Sequence, residues 1–210
     1  MTLFARVLRP TAVGTAAVLV MVAVTSPADA SPTRILDAKD GFAFALPSTW
    51  LQIPLTGKDV AGLLDVATKA DPSLATALSL QVQQDLKKGV KIFALGPIVG
   101  KFASNLNVIV ESSAGLPSGA GSFDMLGVEV KIELASLGIT HIATSQVKVA
   151  GSAQLAATYS PPVTMTKVRA YGEQLYIHHG PRLVIATVTS ASQAQCRSTA
   201  RAIASTWTWK

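Results

Sequence analysis

Cys196 is the single cysteine of the chain, and His141, His178 and His179 are its only histidines. A thiol acts as a nucleophile only as thiolate, which calls for a histidine beside it; a thiol on an apolar face is an inert small hydrophobe. Cys196 opens the series Cys196, Ala200, Ile203, Trp207, spaced i, i+4, i+7 and i+11, so the expectation is a buried thiol on the core side of a helix. A disulfide to a partner chain is the alternative use of an odd cysteine. His178 and His179 are successive residues of a strand-like run. Their side chains point to opposite faces and do not ligate one ion together, so they are read as polar residues at a hairpin end, one ring partly packed. His141 stands in a different segment, with no cysteine or paired carboxylate at ligand spacing. On these grounds no residue is assigned as catalytic, metal-ligating or cofactor-binding, and an enzyme is not expected.

Three weaker patterns point the same way. Gly115 to Gly121 joins a strand to a helix, a setting where backbone N–H groups can cradle a phosphate, but no Lys-Ser/Thr pair follows and Pro117 removes a donor, so a plain connection is expected. Asp124 suits the positive end of a helix, while Glu129 and Glu133 read as an exposed like-charge pair rather than an acid/base dyad. No G-x-S-x-G elbow occurs; Ser118 and Ser122 both miss that spacing. Arg197 and Arg201, at i and i+4, can meet an anionic surface or simply solvate a helix face. Trp50 and Trp207 fit core edges, and Trp209, past the last helix, can be exposed for a partner, with core filling the expected use of these aromatics.

The elements that carry these residues follow from periodicity. Residues 31–39 read as a polar lead-in. Phe42, Phe44 and Leu46 alternate with small residues in a half-buried strand that Pro47-Ser48 stops ahead of Trp50. Asp59 caps one amphipathic helix, and Asp71-Pro72 opens a second that ends near Gly89. Ile92 to Leu95 is a short strand closed by Gly96-Pro97, and Leu106 to Val110 a better one. Ser122 caps a helix with the stripe Phe123, Leu126, Val130, Leu134, Leu137, ended by Gly138. From there the period is two. Segments 142–149, 153–159, 165–178 and 183–189, separated by short turns, must pair antiparallel, and the last is apolar on both faces. A final helix spans about 191–206. The predicted fold class is α+β, an antiparallel sheet sandwiched between helices, in one domain over 40–210.

The composition fits one ordinary globular domain: 210 residues, 49% hydrophobic, 14% charged, and no means of forming an internal disulfide. Arg6 and Arg9, the apolar stretch Ala12–Val24 and Ala28-Asp29-Ala30 have the plan of a signal peptide over residues 1–30, cleaved after Ala30 by the general secretory route. The formal charge of +6 falls to +5 without this segment, which holds two Arg and one Asp. Lys and Arg are dispersed and not interleaved with aromatics, which excludes a nucleic-acid platform. No later apolar run reaches the roughly 20 residues of a membrane span, so no span is expected in the mature chain.

Gly41-Phe42-Ala43-Phe44-Ala45-Leu46-Pro47-Ser48-Thr49-Trp50 resembles the G-F-x-F-x-x-P-x-x-W opening of PsbP-like proteins. The leader, the alanine content and the pattern from Val184 to Trp207 are most similar to the LpqN-type exported proteins of mycobacteria and related actinobacteria. The resemblance covers about Asp40 to Trp209 and implies a fold, not a catalytic residue. Proteins of that type commonly carry a lipidated cysteine where this chain has Ser31, so the anchor does not follow. The expectation is a secreted, non-enzymatic binding or accessory protein without a cofactor, its partner an envelope protein or lipid and its oligomeric state open. The alternatives are a carrier of an apolar envelope ligand, which needs a cavity of roughly 300–1,000 Å³, and a hydrolase marked by a histidine within reach of a serine or the cysteine.

Overall fold

The computed structural model describes residues 31–53, 55, 89–99, 102–114, 116, 122–163 and 168–210. The expected leader, the two helices expected between Asp59 and Gly89, and most of the Gly115–Gly121 loop lie outside these residues. Ten strands and two helices make up the described part: β1 (Thr33–Asp37), β2 (Phe42–Leu46), β3 (Leu51–Ile53), β4 (Val90–Val99), β5 (Phe102–Ser112), α1 (Ser122–Ser136), β6 (Thr140–Val149), β7 (Ser152–Ser160), β8 (Tyr171–His179), β9 (Arg182–Ser190), α2 (Gln193–Thr206) and β10 (Thr208–Trp209). The fold is α+β and antiparallel throughout, with a seven-stranded sheet in the order β3-β4-β5-β9-β8-β7-β6 and a three-stranded sheet β1-β2-β10.

β9 lies fourth of the seven, and all of it but Arg182 is buried, which is why both its faces are apolar. One face of the sheet carries α2 and the small sheet, packing Leu175, Ile177, Val184, Ala186 and Val188 against Phe42, Phe44, Cys196, Ala200, Ile203 and Trp207. The opposite face carries α1, where Leu126, Val130 and Leu134 meet Leu155, Ala157 and Tyr176. The predicted stripes of both helices therefore face the core.

One feature corrects the expected layering and a second completes it. The lead-in is a strand: Ile35 is fully buried, and β1 pairs with β2 from Thr33↔Leu46 to Asp37↔Phe42. Only Ile35 of this edge strand is buried, between half-buried Thr33 and Asp37 and exposed Arg34 and Leu36, so no apolar alternation marks it. Trp209 is not left over for a partner. Thr208 and Trp209 pair with Ala43 and Phe42, the Lys210 N–H donates to the Gly41 carbonyl at 2.9 Å, and the Trp209 indole stacks on His179 with centroids 4.4 Å apart. Trp207 stacks on both Phe42 and Phe44, at 4.8 and 5.3 Å, so the F-x-F of the opening motif is the platform for the end of α2.

β4 also runs past its expected stop. Gly96 and Pro97 lie inside the strand because the register shifts between Leu95 and Ile98, which spares proline a ladder bond. A Cβ on Gly96 would stand 2.5 Å from the Trp50 ring, so glycine there makes room for the tryptophan of the motif. Other boundaries follow the sequence closely. The Pro47–Trp50 turn closes with a 2.9 Å bond, and Gly138 takes φ +73° while the Ile139 N–H returns to the Leu134 carbonyl at 3.1 Å, a Schellman end to α1.

Candidate functional site

β6 pairs with β7 in regular register from Val149↔Ser152 to Ala143↔Thr158, then slips, and pairing resumes only at Thr140↔Ser160. His141 and Ile142 thus oppose Tyr159 alone, a β-bulge, and His141 adopts φ +55°. A left-handed backbone at a residue other than glycine is strained, and bulges re-aim side chains. Here the bulge sets His141 on the rim of a cleft of about 260 Å³, with Thr158, Ser160, Arg169, Tyr171, Glu173, Gln193, Cys196 and Arg197 among its lining residues. The His141 Nδ1 lies 3.1 Å from the Thr140 hydroxyl.

Tyr171 and Glu173 stand two apart on β8, so both face α2. The position of α2 is set at its N-terminus. The Ser192 hydroxyl accepts from the Gln195 N–H at 3.3 Å, and the Ser190 hydroxyl donates to the Gln195 side-chain oxygen at 2.8 Å. The Ser104 hydroxyl of β5 donates to that of Ser190 at 2.9 Å, so α2 is tied to two central strands. From this fixed start the first turn delivers Gln193, Cys196 and Arg197 to the cleft.

The electrostatics of the cleft are asymmetric. Arg169, exposed, holds its guanidinium 5.8 Å from the centre of the Tyr171 ring, and Arg197, also exposed, stands on the α2 side. Between them Glu173 is half-buried. Burial pushes its carboxyl above the ordinary range, while Arg197 and Arg201 pull the other way, and its Oε2 is buried without a hydrogen-bond partner. Cys196 lines the cleft but is 2% exposed; burial, with Glu173 adding to it, pushes the thiol up to about 12, and Sγ–H donates to the Val188 carbonyl at 3.4 Å. It is a protonated core thiol, as its place in the helical stripe predicts.

His141 is thus brought together with Cys196 and Arg197, which periodicity alone did not foresee. His178 and His179 are exposed at the β8–β9 turn, remote from the cleft lining, with His179 packed on Trp209 as expected of one ring. Arg169 and Glu173 were missed, since a lone arginine before a strand and a lone acid within one carry no signal in spacing. On the other face, Glu129 and Glu133 are not an exposed pair. Both are half-buried, and Glu133 is pushed up to about 7, chiefly by burial and then by Glu111 and Glu129. The stripe that buries Val130 and Leu134 also half-buries the acids that precede each of them, and Glu133 comes within electrostatic reach of Glu111 on β5. Among the described residues no helix is long and apolar enough to cross a membrane.

No family model and no curated protein matches the chain. Among solved structures it is similar to the solution structure of cyanobacterial PsbP (CyanoP) from Synechocystis sp. PCC 6803, at 16% identity and a TM-score of 0.45 over 87% of this chain and 94% of that one. It is also similar to LpqN, involved in cell envelope biogenesis of Mycobacterium tuberculosis, at 9% identity and a TM-score of 0.47 over 85% and 90% of the two chains. These are likenesses to the same two groups that the Gly41–Trp50 signature and the Val184–Trp207 pattern resemble.

Proposed function

We propose that this chain is an exported, non-enzymatic binding protein of the cell envelope or extracellular space, and that it works through the cleft between α2 and the β6–β7–β8 end of the sheet. The observation that carries the reading is the convergence of His141, Arg169, Glu173 and Arg197 from three separate segments on one concave site. Export is supported by the leader pattern of residues 1–30. Absence of catalysis is supported by the state of the one thiol, which is protonated and bonded to Val188 rather than activated. The charged rim and the volume of about 260 Å³ favour a small polar ligand over an apolar lipid chain.

Native mass spectrometry of the protein recovered from the envelope or culture fluid of its own host tests this. A small polar molecule should leave on unfolding and be missing from an Arg169→Ala/Arg197→Ala variant. Ligand-free protein in every preparation, or turnover abolished by a single substitution, would overturn the reading.

A further inference from the structure

We infer that the cleft takes a small organic carboxylate, its charge gripped by Arg169 and Arg197 and a hydroxyl of the same molecule donating to Glu173. This rests on the cleft being the working site and adds the chemistry of its occupant. Two guanidiniums line it, one preceding β8 and one on α2, and planar forks of N–H donors match the two oxygens of a carboxylate. Set against the two arginines, a single acid leaves a net charge of about one, which suits a monoanion better than a dianion.

Glu173 supplies the second half of the specificity. It is the one acid of the cleft lining, so its carboxylate offers an acceptor that a ligand carboxylate alone cannot use. A hydroxyl on the ligand would satisfy it, and Thr158, Ser160 and Gln193 add neutral polar groups around the same space. The volume, about 260 Å³, is that of roughly nine waters at ~30 Å³ each, which fits a short hydroxy acid. His141, held at φ +55° by the bulge, is the remaining polar group at the rim, and strain at a ligand-facing residue is characteristic of binding sites.

The test is an NMR titration of the exported chain with glycerate, propionate, glycerol and inorganic phosphate, following the backbone amides of Thr158, Glu173, Gln193 and Arg197. Glycerate is expected to shift these amides and to bind at least tenfold more tightly than propionate or glycerol. Arg169→Ala and Arg197→Ala should each weaken it at least tenfold, while Lys148→Ala, on the same edge strand but outside the cleft, should leave it unchanged. Glu173→Gln, which keeps shape and size, should remove the preference for glycerate over propionate and so separates a lost contact from a lost fold. Tighter binding of phosphate, or equal binding of glycerol and glycerate, would overturn the carboxylate assignment and leave the binding-protein reading standing. If none of the four probes moves the cleft amides of a folded protein, the carboxylate assignment falls, and the binding-protein reading is decided by the native mass spectrometry above.

Discussion

Tyr159 lies flat across Gly172, its direct partner in the β7–β8 register, so closely that a Cβ built on the glycine would stand 2.3 Å from the ring. An aromatic ring laid over a cross-strand glycine fills the surface that the missing side chain leaves open. Gly172→Ala must drive the ring away, and Tyr159, 3% exposed, has no solvent to move into. The expected loss is about 2 kcal/mol, read as a lower urea midpoint. Because Tyr159 also opposes the His141–Ile142 bulge, the same variant should bind any cleft ligand more weakly.

The Tyr159 hydroxyl makes a separate prediction. It is buried without a hydrogen-bond partner, so it has lost water and gained nothing in return. Tyr159→Phe should leave urea stability unchanged or raise it by up to about 1 kcal/mol; a clear loss would mean the hydroxyl is bonded in solution.

Glu133 should make stability fall as pH rises. Its carboxyl is raised from 4.5 to about 7 in the folded protein, so between these values the native state holds a proton that the unfolded chain has released. The native form is therefore favoured most at the acid end of that window and loses ground up to neutrality. Glu133→Gln should flatten the slope between pH 4.5 and 7 and stabilise the protein above it, by about 1 kcal/mol once screening of a half-exposed group is allowed for. Chemical denaturation at several pH values reads both effects.

Cys196 should resist modification. With its thiol pushed up to about 12 and 2% exposed, it is expected to react with iodoacetamide at pH 8 only after denaturant unfolds the chain, and intact-mass measurement distinguishes the two states. Rapid labelling of native protein would restore the nucleophile that the helical stripe argues against.

The β6–β7 hairpin closes through Ala150 and Gly151 at φ +46° and +84°, the sign pattern of a type I′ turn. Glycine adopts it freely and alanine does not. Ala150→Asn should raise stability by about 0.5–1 kcal/mol, visible as a higher melting temperature with no change in ligand binding.

Much of the framework could be read from periodicity, because strands and helices that bury one face repeat apolar residues at two or 3.6. The stripe from Cys196 to Trp207, the end of α1 at Gly138 and the run Leu183–Ala186 of β9, apolar on both faces, are of this kind. What failed to show were features that break period. β1 hid because an edge strand exposes half its residues, and β4 was cut short because Gly96 and Pro97 signal a turn unless the Trp50 ring and the register shift beside them are known. The cleft was the least legible part. Its residues come from segments joined only by the fold, and the device that presents His141 is a one-residue slip between two strands, which leaves no mark in spacing.

The small sheet has a consequence for how the protein is made. Thr208 and Ala43, joined by a hydrogen bond, are 165 residues apart, and Trp207 covers a pair of phenylalanines that leave the ribosome long before it. Phe42 and Phe44 must wait uncovered through most of synthesis, and any nascent product cut short of α2 offers that greasy pair to chaperones or to its neighbours.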